Sequence, residues 1–273
     1  MPTTAEKVET FRTLHKKDAP FIMPNPWDAG SARVLESLGF RALATTSSGF
    51  ALTLGRNDYR VARAEALAHA RAVAAAVDVP VSADLENGFG LAPEDAAETI
   101  RLAGETGLAG GSIEDSSGDP EAPVIERARA VERVAAAVEA ARAAPHGFVL
   151  TARAEGFLHG QDDLDEIIAR LQAFEAAGAD VLYAPGLPDI EAVRTVCAAV
   201  SKPVNVLAIG KLAGASLAEL AEAGAARVSI GGLAAWFAYG AMAQAAAAML
   251  REGRFEPLLP PAEGAKAVRA ALA

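Results

Sequence analysis

Four carboxylates and one arginine carry the chemistry open to this sequence. Asp84 and Glu86 lie two residues apart in Val81-Ser82-Ala83-Asp84-Leu85-Glu86, so an extended backbone sends both side chains to one side. Glu114 ends the run Gly111-Ser112-Ile113-Glu114, and Asp58 closes the glycine-punctuated segment Leu54-Gly55-Arg56-Asn57-Asp58. Carboxylates crowded together raise one another's pKa unless a cation offsets them. Oxygen donors with no cysteine or histidine beside them suit Mg2+ or Mn2+, with water completing the octahedron. Taken singly, each acid reads more readily as a helix cap or a solvated loop charge. Taken together they read as a metal site.

Arg153 ends the apolar run Phe148-Val149-Leu150-Thr151-Ala152, and a guanidinium buried there needs a partner. That partner is either a substrate carboxylate or phosphonate, gripped by a bidentate fork, or an ion pair with Glu114 or Glu155; the two can alternate with ligand state. Thr46, Ser47 and Ser48 precede Gly49, and such a run presents hydroxyls and N–H groups to a carboxylate or an enolate oxygen, or caps a helix. Asn205 is polar inside Val204-Asn205-Val206-Leu207 and needs a partner, ligand or protein. The four histidines show no ligand spacing, and only His159 follows Arg153 closely enough to reach the same rim.

Eight short β-rich runs alternate with alanine-rich helical segments and would position these groups. The strands are predicted at 21–23, 42–45, 81–84, 111–114, 148–152, 181–184, 204–207 and 227–230. Helices are predicted at 28–38, 61–77, 93–106, 123–143, 162–177, 188–199, 216–223 and 232–251, with a short last one at 262–272. Gly39, Gly107, Gly178 and Gly224 each follow a helical run and precede a strand, as C-terminal caps do. Eight such units predict a (β/α)8 TIM barrel, an α/β fold, more readily than an open sheet. In a barrel the four acids and Arg153 fall at the C-terminal strand ends, where active sites are built. No linker marks a second domain: residues 1–273 read as one barrel, with 255–273 an arm and extra C-terminal helix.

Composition narrows the partners. With 35 acidic and 25 basic residues among 273, the formal charge is -10, which argues against nucleic-acid or anionic-membrane binding. The N-terminus has no signal-peptide core, and no apolar run of about 18 residues is expected. A single cysteine, Cys197, excludes an intrachain disulfide and points to the cytoplasm.

Asp84-Leu85-Glu86-Asn87-Gly88-Phe89-Gly90 resembles the Asp-x-Asp-x-Gly-[Tyr/Phe]-Gly signature of the isocitrate lyase/phosphoenolpyruvate mutase superfamily. Asp28-Ala29-Gly30-Ser31-Ala32-Arg33, Leu54 to Asp58, Ile113-Glu114-Asp115 and Thr151 to Phe157 follow in the family's order, so the resemblance spans about residues 15–255. It implies Asp84 as direct metal ligand, with Asp58, Glu86 and Glu114 holding the ion directly or through water. It implies Arg153 on a substrate carboxylate, and Thr46, Ser47 and Ser48 on a pyruvate-like unit. It also implies a homo-oligomer, dimer or tetramer, with the last helix swapped between barrels.

Two departures limit the chemistry that carries over. The signature's second Asp is Glu86, one methylene longer. After Glu114 the chain reads Asp115-Ser116-Ser117-Gly118-Asp119-Pro120, without the cysteine, lysine and histidine that the lyases carry on a mobile lid. The expectation is a Mg2+-dependent enzyme acting on a small 2-oxo- or 2-hydroxy-(di)carboxylic acid, foremost as a C–C lyase or hydrolase through an enolate. A water held by Glu86 or Glu114 would then donate the proton. A phosphonomutase or phosphonopyruvate hydrolase is the first alternative, and an oxo-acid-binding barrel with little catalysis the second.

Overall fold

The computed structural model describes residues 1–16 and 19–273. Eight parallel strands, β1 (Phe21–Met23), β2 (Leu43–Ala44), β3 (Val81–Asp84), β4 (Gly110–Glu114), β5 (Val149–Arg153), β6 (Val181–Tyr183), β7 (Val204–Leu207) and β8 (Arg227–Ser229), form a TIM barrel. The ladder runs β1-β8-β7-β6-β5-β4-β3-β2. Its remaining seam, between β1 and β2, is crossed by Ala44 N–H to Pro24 O at 3.1 Å and by Asn25 Nδ2 to Thr45 O at 3.1 Å. Asn25 also accepts from the N–H groups of Ile230 and Gly231, tying that seam to the end of β8.

The helices are α1 (Thr4–Leu14), α2 (Ala29–Ser37), α3 (Ser47–Thr53), α4 (Arg63–Ala76), α5 (Pro93–Ala103), α6 (Arg127–Ala143), α7 (Leu164–Ala177), α8 (Ile190–Ala199), α9 (Leu217–Glu222), α10 (Leu233–Glu252) and α11 (Ala262–Leu272). All eight strands and nine of these helices lie where the sequence predicts them, with ends shifted by a few residues. Two helices were not expected. One is α1, although Thr3 and Glu6 form the capping box that a Thr-x-x-Glu pattern announces. The other is α3, which turns the Thr-Ser-Ser-Gly run into a helix start. Residues 123–126 are not helical, because Ser117 N–H is taken by Pro123 O and Ser116 pairs with Val124 in an antiparallel bridge.

Strand alternation divides the barrel interior into two levels. At the N-terminal end Phe21, Val149 and Val181 pack with Val8 and Phe11 of α1, which plugs the barrel. Gly110 makes that plug fit, since a Cβ there would lie 2.4 Å from the Val149 carbonyl oxygen and 3.1 Å from the Phe11 ring. Further up, Ser82, Asp84, Ser112, Glu114, Thr151, Arg153, Asn205, Arg227 and Ser229 stand at two-residue spacing, a polar interior in a position usually filled by branched apolar side chains.

The expectation that no long apolar run occurs is corrected by α10. Its 20 residues carry no charge before Arg251 and are long and apolar enough, by length and composition, to cross a membrane. Trp236, Phe237, Met242 and Leu250 are exposed on it. In the barrel it supplies the eighth helix, and Trp236 Nε1 donates to Ser48 Oγ at 3.1 Å, joining it to α3. The C-terminal arm ends in α11, which folds back onto α2. An apolar groove of about 660 Å³ between them is lined by Val34, Leu35, Val268 and Leu272.

Candidate active site

The site begins where β2 turns into α3. Thr46 Oγ1 accepts from Gly49 N–H at 3.2 Å, an N-cap that aims the first helical turn at β3. Ser47 then donates its N–H (3.2 Å) and its hydroxyl (3.1 Å) to Asp84 Oδ2. Asp84 Oδ1 accepts from Arg153 Nη1 at 2.9 Å and from Glu86 N–H at 3.3 Å. Asp84 is thus a carboxylate with charge-assisted bonds on both oxygens. Of the three expected hydroxyl residues, Ser47 alone addresses it. Thr46 spends its hydroxyl on the cap, and Ser48 accepts from Trp236.

Arg153 is the hub. Besides Asp84 it reaches Glu114 with Nη2 at 3.1 Å and Glu155 with Nε at 2.8 Å, and its guanidinium carbon lies 5.0 Å from the Tyr183 ring centroid. The ion-pair alternative read from the sequence is therefore realised with both Glu114 and Glu155, and Asp84 joins them. Burial works against the Arg153 charge, but Glu114, Glu155 and Asp84 more than restore it, so the guanidinium is held firmly protonated. One cation among three carboxylates leaves the cluster short of positive charge. Burial pushes the Glu114 carboxyl well up, and Arg153 offsets that only in part.

Glu86 and Asp58 add to the excess. Burial, then Asp84 and Asp58, push the Glu86 carboxyl up to about 8. Burial and Asp84 likewise raise Asp58, with Ser47 and Arg153 acting the other way. The signature loop reaches these positions through left-handed backbone at Glu86 (φ 49), Gly88 (φ 81) and Phe89 (φ 60). Each non-glycine residue held so costs of order 1–3 kcal/mol, which the surroundings must offset. Arg133, fully buried, does so by donating to the carbonyls of Asn87, Gly90 (2.8 Å) and Ala92 (3.0 Å).

Glu114 also receives the Tyr59 hydroxyl, from a residue with φ 59 directly after Asp58. Asp115 is buried against Arg170 Nη1 at 3.0 Å and accepts from Glu155 N–H at 2.7 Å, so it anchors the base of the loop. Sequence reading named neither Tyr59, Arg133 nor Arg170, since each acts on a group far away along the chain.

Of these groups Ser47, Asp58, Asp84 and Arg153 border one cleft of about 130 Å³ at the C-terminal strand ends, with Asn205 and Arg227 also lining it. The sequence profile of the phosphoenolpyruvate phosphomutase family matches residues 11–250. The chain belongs to this family. A candidate lyase/mutase from Burkholderia cenocepacia J2315 has a solved structure similar to it, at 50% identity and TM-score 0.92, covering 99% of this chain and 96% of that one. An oxaloacetate decarboxylase from Pseudomonas fluorescens Pf-5 is 30% identical over 84% of this chain and 79% of its own. The solved structure of a 2,3-dimethylmalate lyase, in the PEP mutase/isocitrate lyase superfamily, is 26% identical with TM-score 0.84, covering 100% of this chain and 95% of that one.

Within the family's signature, the expected metal set does not stand as one preformed cage. Among the described residues no three Asp, Glu, His or Cys side chains converge to hold an ion. Arg153 occupies the space between Asp84 and Glu114, and the Glu86 side chain meets that of Asp84 only across a small adjoining hollow that both line with Phe50, Val61 and His69. The donor chemistry nonetheless fits a hard divalent cation. Asp58 and Asp84 line the cleft, all donors are oxygen, and the carboxyls raised by burial and mutual repulsion are what a cation would relieve. Asp84 and Asp58 would hold Mg2+ or Mn2+, with Glu86 and Glu114 behind them.

Asn205 lines the cleft, but both ends of its amide are engaged. Its Oδ1 accepts from Arg227 Nε at 2.8 Å, and its Nδ2 donates to Ser229 Oγ at 2.9 Å. Arg227 in turn donates to Thr151 Oγ1 at 3.2 Å and meets His15 Nε2 at 3.1 Å. Because a guanidinium only donates, His15 Nε2 must accept, and Nδ1–H then donates to Phe11 O at 2.7 Å. The ring is thereby fixed in its neutral form. Burial, and then the Arg227 charge, lower its pKa from 6.5 to about 3.

An acid-stability prediction arises here. A depressed folded-state pKa means the unfolded chain binds the extra proton first, so stability present above pH 6.5 drains away as pH falls toward about 3. His15→Asn, which cannot titrate, is expected to flatten the curve of Tm against pH between those limits. An unchanged slope would show that the acid sensitivity lies in other groups.

Proposed function

We propose that this family member is a divalent-metal-dependent enzyme acting on a small 2-oxo- or 2-hydroxy-(di)carboxylic acid, as a C–C lyase or hydrolase whose reaction passes through an enolate. The observation carrying this reading is the cleft itself: Asp84, fixed by Arg153 and by both donors of Ser47, at the mouth of a polar barrel with unrelieved negative charge. The similarity to an oxaloacetate decarboxylase and to a 2,3-dimethylmalate lyase supports the substrate class and the C–C chemistry.

When bound, a Mg2+ ion would act as Lewis acid on the oxygens of the acid. The residues of the chain do the rest. Ser47 and Arg153 hold Asp84 in a fixed orientation, so that it does not have to be reorganised when a substrate arrives. Glu86, with its carboxyl near neutral pH, and Glu114, in contact with the Tyr59 hydroxyl, are the two groups able to hold a water that passes a proton to the carbon left by bond cleavage. The segment 115–123 supplies no lysine, cysteine or histidine for that task. The exposed apolar side of α10 supports a homo-oligomer, the second copy covering Trp236, Phe237 and Met242.

Calorimetry tests the reading. Pyruvate, oxaloacetate and 2-oxoglutarate are titrated in Mg2+ and in EDTA, followed by a turnover panel of C4–C6 hydroxy- and oxo-acids. Binding that requires the metal, and release of a two- or three-carbon oxo-acid, are expected. Phosphate release from phosphonopyruvate would move the assignment to P–C chemistry. Tight binding without turnover would reduce the protein to a binding barrel, and no metal-dependent binding would end the proposal.

A further inference from the structure

Two arginines face the cleft, and their charges are not equally available. Arg153 is surrounded by Asp84, Glu114 and Glu155, all within 3.1 Å. A substrate carboxylate brought to it would be the fourth carboxyl group on one guanidinium whose charge three others already share. Arg227 is the opposite case. It is 3% exposed, and its partners Asn205, Thr151 and His15 are all neutral. No carboxylate forms an ion pair with it among the described residues, whereas Arg153, the other arginine of the cleft, meets three. The three bonds of Arg227 use one N–H on each nitrogen of a group that has five, so each terminal nitrogen keeps a second N–H.

A buried cation without a counter-charge is costly, and a fold retains one where something repays the cost. Burial already lowers the Arg227 pKa to about 9, a sign of how poorly the charge is compensated by protein alone. The chain around Arg227 is built to aim it. Asn205 on the adjacent β7 and Thr151 on β5, two strands further round, pin the fork, and His15, fixed as an acceptor at the end of α1, props it from the plug side. Arg227 lines the same cleft as Asp58 and Asp84, but it opens β8 in register with Phe21 whereas Asp84 closes β3, so the cleft has a negative rim and a positive floor.

We propose that Arg227 is the anion receptor of this cleft and takes the second carboxylate of a dianionic oxo-acid, whose 2-oxo end lies toward Asp84. This inference rests on the oxo-acid reading given above and narrows it: the substrate is a short dicarboxylate. The cleft volume of about 130 Å³ restricts the ligand to a short chain. The positive floor selects for charge at its far end.

The test compares acids matched in length, with and without the second carboxylate: oxaloacetate against 2-oxobutyrate, and 2-oxoglutarate against 2-oxopentanoate, by calorimetry in Mg2+. Wild type should favour a dicarboxylate over its matched monoacid by about 10-fold or more, as a desolvated charge pair does. Arg227→Met should erase that preference while changing monoacid affinity by less than about 3-fold, and Arg227→Lys should keep part of it. A wild type without preference, or a preference that survives in Arg227→Met, overturns the proposal. Should Arg227→Met fail to fold, the wild-type comparison and Arg227→Lys decide. If wild type binds none of the four acids, the oxo-acid reading fails on its own. Arg227 is then read by thermal shift with malonate and with inorganic phosphate: a rise in Tm that Arg227→Met abolishes keeps the receptor, and no rise in wild type removes it.

Discussion

Asp84→Asn is expected to lower kcat by at least about 10³-fold, roughly 4 kcal/mol of transition-state stabilisation, while moving Tm by no more than a few degrees. The two halves of this expectation come from different parts of the same geometry. Asp84 is the one acid that lines the cleft and is also bonded to Arg153, Ser47 and the Glu86 N–H. An amide of the same shape removes the anion that would hold the cation and presents an NH2 group to donors on one side. Stability is a separate matter, because Arg153 retains Glu114 and Glu155, and because the Asp84 charge now pushes up both Asp58 and Glu86. Losing that repulsion compensates for losing one ion pair. Steady-state kinetics and a thermal melt read the two halves independently. A variant retaining more than about a tenth of wild-type kcat would show that the centre of the site lies elsewhere. A large fall in Tm with lost activity would mean that Asp84 is chiefly a structural partner of Arg153.

How far such a site is legible in sequence depends on where regular backbone stops. Asp84 and Glu86 were read as neighbours on one side of a strand, and for Asp84, the last residue of β3, the alternation holds. Glu86 lies beyond the strand with φ 49, so the period of two has ended, yet it still shares a small hollow with Asp84 beside the main cleft, which it does not line. Arg153 and Glu114 end their strands in register, directly opposite each other, which is why the expected contact between them is found. Arg227 was passed over because Arg-Val-Ser reads as an ordinary half-polar strand. Its significance lies in what is not beside it, and missing counter-charges on other strands leave no mark on the local sequence. Tyr59, Arg133 and Arg170 share that difficulty. By contrast α1 was legible in its Thr3–Glu6 capping box, and α3 in Thr46, since hydroxyl runs cap helices as readily as they bind ligands.

Arg153→Met should be the most damaging single change to the fold and should leave no measurable turnover. Removing the guanidinium strands Asp84, Glu114 and Glu155 together, and the last two are only 2% and 1% exposed at their side chains. Breaking a buried ion cluster from one side costs about 3–5 kcal/mol. For a chain of this size that is a fall in Tm on the order of 6–20 °C. The sign of its pH dependence separates charge from packing. Burial already raises Glu114 and Glu155, and without the lowering influence of Arg153 both rise further, so the folded variant holds protons that folded wild type and the unfolded chain have released, and its stability falls more as pH rises. The deficit relative to wild type should therefore be smaller at pH 5, where both folded proteins keep these carboxyls protonated, and larger at pH 8, where the wild-type pair ionises more readily than the variant's. Denaturant titration at pH 5 and pH 8 measures it. A deficit equal at both would trace to the lost contact with the Tyr183 ring and to the packing of the arginine stem, and not to the cluster. Adding Glu114→Gln to Arg153→Met should recover part of the loss at pH 8 and little at pH 5, because it removes one stranded charge without restoring the arginine. Recovery of fold without recovery of turnover would then place Arg153 among the groups that organise Asp84 for reaction, beyond its part in holding the barrel mouth together.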